Sequence, residues 1–168
     1  EQGGAYMADV WGRLTGRAGV CLGTLGPGAL NLVTAVADAY LDRAPLVALT
    51  GQGDLERMHK ESHQYIDLPR VMRPITKWNA RVQDPEIIPE VVRKAFKVAE
   101  AEKPGATHIE LPEDVMAVAF DGLVAFRKGD RTASLMSLRQ AVELPGATPA
   151  LRASVALPLV AAASLARW

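Results

Sequence analysis

The sequence predicts an α/β domain: a parallel sheet flanked by helices on both faces. Three observations carry that expectation. Short apolar runs alternate with helical patterns, the runs contain almost no polar positions, and the turns between them are short. Strands apolar along their whole length are those covered on both sides, the situation in a parallel sheet wrapped by crossover helices.

Residues 2–16 open the series with apolar side chains at Ala5, Met7, Ala8, Val10, Trp11 and Leu14, a helical pattern closed by Gly16. Val20 to Leu22 reads as a short buried strand, followed by the turn Gly23-Thr24-Leu25-Gly26-Pro27-Gly28. Pro27 falls near the start of a second helix, where a missing N–H is harmless. That helix runs to about Tyr40, with Leu30, Val33, Thr34, Ala37 and Leu41 on one face. Leu46 to Leu49 is a continuous apolar strand ending in Thr50-Gly51-Gln52-Gly53. Residues 53–70 are polar and read as a functional loop with a short helix. Ile75 to Val82 alternates apolar and polar, the pattern of a strand less buried than its neighbours. Pro85 to Ala101 is the clearest amphipathic helix, with Ile88, Val91, Val92, Ala95, Phe96, Val98 and Ala99 inward. After the Pro104-Gly105 turn, Thr107 to Leu111 forms the last strand and ends at Pro112.

Length and charge bound the function. The chain has 168 residues, enough for one domain with a real core. Lys plus Arg and Asp plus Glu are both 19, so the neutral chain offers no electrostatic case for nucleic acid or an anionic membrane as main partner. The longest apolar stretch, Ala153 to Ala166, is broken by Pro158 and falls short of the roughly 20 residues of a bilayer span. Cys21 has no second cysteine to pair with, which fits a buried core thiol in a reducing cytoplasm.

In open parallel sheets, ligands sit at the carboxyl ends of the strands. Those ends carry Gly26-Pro27-Gly28, Gly51-Gln52 and Pro112-Glu113-Asp114. A short glycine turn alone fits a generic strand-to-helix connection or a phosphate cradle equally well.

Longer motifs narrow this. The run EQGGAYMADVWGRLTGRAGVCLGTLGPGALNLVTAVADAYLDRAPLVALTGQ is closely similar to the pyrimidine domain of acetolactate synthases, with their Glu-Gln-Gly helix start and Gly-Pro-Gly-Ala-x-Asn turn. The later run HQYIDLPRVMRPITKWNARVQDPEIIPEVVRKAFKVAEAEKPGATHIELPEDV extends the likeness to about Val115. The resemblance implies a thiamine-diphosphate-dependent decarboxylation of pyruvate and its carboligation to a second 2-oxo acid. Glyoxylate carboligases, pyruvate oxidases and other decarboxylases share the pattern and stay open as alternatives, as does a non-catalytic remnant serving as an interaction module. Residues 1–117 would be the pyrimidine-binding domain, incomplete at its N-terminus. Residues 118–168 would be a linker or the start of a middle domain, or else a disordered or frameshifted end. Magnesium would be held by a domain outside this chain, whose fragment alone would be inactive. The resemblance further implies a homodimer or tetramer, with a regulatory subunit as a possible partner.

The same resemblance assigns roles. Glu1 matches the glutamate that is set against the pyrimidine nitrogen opposite the amino group, where it helps the cofactor to deprotonate its own thiazolium carbon. That chemistry asks for a poorly hydrated carboxyl able to trade a proton near neutrality. Without the motif, a glutamate at a helix start is an ordinary dipole partner. Gly26, Pro27 and Gly28 allow close backbone approach to a flat ring, Asn31 offers an amide just beyond, and Gln64 matches a glutamine near cofactor and substrate. His63 stands where phenylalanine is common, and could face the substrate carboxylate or pack the loop. Glu113 replaces a basic residue near the substrate channel, and Leu30 a threonine. Lys103 takes the place of an arginine that contacts flavin. It lacks the planar fork, which weakens the case for FAD. His59 and His63, four residues apart, have no carboxylate or cysteine cluster to complete a metal site, and His108 reads as structural.

Overall fold

The computed structural model describes residues 1–58, 60 and 64–118. Its elements are α1 (Gln2–Thr15), β1 (Gly19–Gly23), α2 (Pro27–Leu30), α3 (Val33–Leu41), β2 (Leu46–Gln52), α4 (Leu68–Met72), β3 (Trp78–Arg81), α5 (Ile88–Glu100) and β4 (Ala106–Pro112). The four strands form one parallel sheet in the order β1-β2-β4-β3. One face is covered by α1 and α3, whose Ala5, Ala8, Ala35, Val36 and Ala39 pack with Cys21, Leu46, Ala48 and Ala106. The other is covered by α5, whose Val91, Ala95 and Ala99 pack with Val47 and Ile109. The expected parallel sheet with helices on both faces is what the chain forms.

The inward face of α1 is built from small residues. A Cβ at Gly19 would overlap the Ala8 carbonyl, and one at Gly12 would overlap the Pro45 carbonyl. The helix therefore lies so close to the sheet that only Ala5, Ala8, Asp9 and Gly12 fit beneath it. Met7, Val10, Trp11 and Leu14 point outward, Trp11 at 56 % exposure. Arg13 ties this helix to α3: it donates to Asp9 (2.9 Å), Asp38 (3.1 Å) and Asp42 (2.6 Å), and Asp42 and Asp9 raise its pKa. Gly19→Ala is expected to lower the unfolding free energy by about 1–3 kcal/mol, because the overlapped atom is main chain and cannot rotate away; urea unfolding of the variant against the unsubstituted chain reads it.

Three expectations need correction. β1 is not a buried strand but the sheet edge, alternating inward Cys21 with outward Val20 and Leu22, the latter 68 % exposed. The second helix is not continuous: it divides at Asn31–Leu32 into α2 and α3. The buried face is Gly28, Ala29, Leu32, Ala35, Val36 and Ala39, one helical phase carried through both segments by mostly small residues, while Leu30 and Leu41 are exposed. Finally, Pro85–Ile87 is a separate 3-10 turn leading into α5, with the Asp84 carboxylate accepting from the Glu86 amide (2.9 Å).

The less buried strand is β3, half-exposed at each position and at the other sheet edge. Cys21 is buried and free, and burial pushes its thiol up to about 11, so it is a core side chain and not a nucleophile. Among the described residues no helix is long and apolar enough to cross a membrane. The tail expectation for 118–168 lies, beyond residue 118, outside the described residues.

Candidate functional site

The turn after β1 brings the assigned residues together. Gly26 ends the turn with φ 54° and ψ −122°, and Pro27 starts α2. Gly28 then passes directly beneath the Glu1 side chain: a Cβ at Gly28 would stand 3.2 Å from Glu1 Oε1 and would overlap the Thr24 methyl. Asn31, at the end of α2, donates from Nδ2 to Glu1 Oε2 at 3.3 Å. Residues 30 apart in sequence thus put a carboxylate, an amide and a side-chain-free backbone within one hydrogen-bond radius.

Gln64 closes the second side. It sits at φ 60°, and a Cβ on Gly26 would overlap the Gln64 carbonyl oxygen. Loop and turn are therefore in direct backbone contact, which only glycine at 26 permits. Glu1, Asn31 and Gln64 are exposed. The desolvation expected around the Glu1 carboxyl is not supplied by the described residues, because nothing packs over its outer side. A groove of about 640 Å³ runs from Glu1 along Met7, Trp11, Val20 and Leu22, between α1 and the free edge of β1.

The remaining assignments fall elsewhere. Glu113 is exposed, just after β4. Lys103 is exposed with φ 53° in the turn after α5. His63 and His59 lie outside the described residues. No group of three or more His, Cys, Asp or Glu that could hold a metal ion occurs among the described residues.

Behind the site, the ends of β2, β4 and β3 carry a buried polar row. Register pairs Thr50 and Arg81 with Glu110 and puts His108 beside Ala48, so Thr50, Gln52, Arg81, His108 and Glu110 share one sheet face. His108 is fully buried, with Nε2 2.8 Å from Thr50 Oγ1. Burial lowers its pKa to about 4. Because that lies below the usual 6.5, the unfolded chain binds the extra proton first. The neutral-His contribution is complete above about pH 6.5 and is lost as the pH falls toward 4. Urea midpoints are expected to drop across that window, and His108→Gln to flatten the drop. Glu110 is also fully buried; burial raises its pKa, opposed by Arg81 and Gln52. In the sequence Gln52 is legible as a strand-end residue, whereas Glu110 and Arg81 belong to no motif that gives them a role. The signal was there in polar residues closing apolar strands.

Residues 1–70 match the family described as thiamine pyrophosphate enzyme, N-terminal TPP binding domain. These residues carry that family's N-terminal domain. It is 43 % identical over 149 residues to the probable acetolactate synthase large subunit of Methanocaldococcus jannaschii, a match covering 89 % of this chain and 23 % of the relative. It is 46 % identical over 121 residues to the probable acetolactate synthase large subunit of Methanococcus aeolicus (72 % and 20 %). It is 46 % identical over 115 residues to the chloroplastic acetolactate synthase 2 of Nicotiana tabacum (68 % and 17 %). The chain thus spans less than a quarter of the length of these relatives. Its parallel sheet is the α/β arrangement of the family's N-terminal domain, and the Glu1–Gly28–Asn31 cluster lies within the matched residues.

The donor set fits the pyrimidine end of thiamine diphosphate. The space above Gly28 is one a Cβ would fill, next to a carboxylate whose far oxygen is already oriented by an amide.

Proposed function

We propose that this chain is the pyrimidine-binding part of an acetolactate synthase. Such an enzyme decarboxylates pyruvate and joins the two-carbon unit to a second 2-oxo acid. The observation that carries the reading is the Glu1 carboxylate held over Gly28 by Asn31, in a chain similar to proteins that bear that enzyme's name. Bound thiamine diphosphate supplies a carbanion equivalent at its thiazolium carbon.

The chain's own residues do the rest. Glu1 holds or releases a proton at the oxygen facing the ring nitrogen, and Asn31 fixes that carboxylate's rotamer. Gly26, Pro27 and Gly28 give backbone approach to a flat ring, and Gln64 forms the facing wall. Water is excluded from Glu1 by a second surface, which we assign to another subunit of a homodimer or tetramer. The outward Met7, Val10, Trp11 and Leu14 support self-association, being a large apolar patch next to the site. Residues 1–117 form the pyrimidine-binding domain of the proposal, and 118–168 continue toward a middle domain. The 149-residue match to the M. jannaschii relative, in a chain of 168, reaches at least residue 149 and supports native sequence that far.

Magnesium belongs to the proposal as the diphosphate's counter-ion, held outside the described residues. FAD does not: Lys103 is an exposed point charge without the guanidinium fork. The free buried Cys21 supports a reducing compartment, for which we propose the cytoplasm. The test is product analysis of the complete protein given pyruvate, thiamine diphosphate and magnesium. Acetolactate is expected. Release of acetaldehyde or acetate alone, or turnover only with glyoxylate, would overturn the assignment.

A further inference from the structure

The buried carboxylate of Glu110 is out of place in a sheet core. An ionised group there costs several kcal/mol unless its partners repay the desolvation. Both of its oxygens are engaged. Oε1 accepts from Gln52 Nε2 at 2.9 Å, and Oε2 accepts from Arg81 Nε. The two partners then lead to one place. Gln52 Nε2 also donates to the Ile66 carbonyl at 2.8 Å, while its Oε1 accepts from the Gly53 amide at 3.0 Å. Arg81 Nη2 lies 3.8 Å from the Asp67 carboxylate, which itself accepts from the Arg70 amide (3.4 Å) to start α4. From a single carboxylate, a hydrogen-bonded arm through Gln52 thus ends on residue 66, and a second arm through Arg81 ends on residue 67 as an ion contact without a hydrogen bond.

One residue, Tyr65, separates them from Gln64, which leans on Gly26 through main-chain atoms. The loop is thus held from behind by the network and stopped in front by the glycine turn.

We infer that Glu110, acting through Gln52 and Arg81, is a positioning residue that sets where Gln64 stands against the Gly26–Pro27–Gly28 turn. The inference rests on the proposed cofactor site for its functional consequence, but its structural half does not. Glu110 touches neither cofactor nor substrate; it fixes the width of the cleft between loop and turn. A misplacement near 1 Å is enough to cost about 10²-fold in an ordered site.

The test uses the complete protein carrying Arg81→Met with Glu110→Leu. Replacing a buried ion pair by apolar residues of similar volume is commonly neutral or stabilising, so the fold should persist. Two measurements are made: amide hydrogen exchange at residues 64–67 without cofactor, and thiamine diphosphate affinity in the presence of magnesium. The expected result is an unfolding midpoint at or above the unsubstituted value, faster exchange confined to 64–67, and affinity weakened about tenfold or more. A stable variant with unchanged exchange and unchanged affinity would overturn the inference. Should the double variant fail to fold, Glu110→Gln replaces it, keeping shape and the Gln52 contact while weakening the Arg81 arm; the same two readouts decide. If the unsubstituted protein does not bind thiamine diphosphate, the functional reading fails by itself, and the exchange rates alone judge the anchoring.

Discussion

Glu1→Gln in the complete protein is expected to slow exchange of the thiamine diphosphate C2 proton by about 10²–10⁴-fold, the usual contribution of a positioned acid–base group. Cofactor affinity should stay within about threefold. The two effects separate because the substitution keeps size and position. A glutamine carbonyl at the same rotamer still accepts from Asn31 Nδ2, and the side chain still fills the space above Gly28. Only the ability to take or give a proton is lost. A structural role would show the reverse, a weaker complex that reacts normally once saturated. Exchange measured at saturating cofactor by proton NMR distinguishes them, and an undiminished rate removes Glu1 from the chemistry. Glu1→Asp is the finer probe. Shortening the side chain by one methylene retracts the carboxylate from Asn31, already at the long end of hydrogen bonding at 3.3 Å. It should fall between glutamate and glutamine.

How much of this was legible beforehand depends on which force set each feature. α5 was read almost residue by residue, because its apolar stripe and its charged outer face alternate at helical period and nothing competes with them. α1 was located correctly, but its orientation was not in its hydropathy. Gly12 and Gly19 bring main chain against main chain, so the inward side is small and the large side chains face away. Close approach is written in glycines, and a hydropathy pattern weights those least. The break between α2 and α3 was invisible for a related reason. Asn31 and Leu32 both keep right-handed helical backbone angles, so the interruption is slight and no proline or glycine marks it in the sequence.

The site was partly legible. Glu1, Gly26, Gly28 and Asn31 are close in sequence or joined by one turn, and motif resemblance alone groups them. Gln64 followed from the same motif, though its φ of 60° and its seat on Gly26 did not. The polar row behind it was not legible. Gln52 and Glu110 lie 58 residues apart and Arg81 a further strand away, so only the β2-β4-β3 order brings them together. Strand order in a parallel sheet depends on crossovers, and no local pattern in the chain encodes it.

Gly26→Ala carries the second large effect, and comparison with Gly28→Ala explains its size. At Gly26 two penalties coincide. The backbone conformation, φ 54° with ψ −122°, is strained for any residue with a Cβ, about 1–3 kcal/mol. The added methyl would also overlap the Gln64 carbonyl, a main-chain atom. Either the turn or the loop must move, and both line the proposed cleft. Gly26→Ala should therefore weaken thiamine diphosphate binding by about 10²-fold, since two rigid walls shift together. At Gly28 the overlapped atom is the Thr24 methyl, and Glu1 Oε1 at 3.2 Å is the far end of a flexible side chain that can yield a few tenths of an ångström. Removing that methyl relieves the clash, so Gly28→Ala in a Thr24→Ser background should regain most of the affinity that Gly28→Ala alone loses. No side-chain trimming can rescue Gly26→Ala, because what stands in its way is the backbone of Gln64. Isothermal titration of the unsubstituted protein, the two single variants and each of them in the Thr24→Ser background checks the pattern, and equal rescue at both positions would mean that the loop is not the wall of the site.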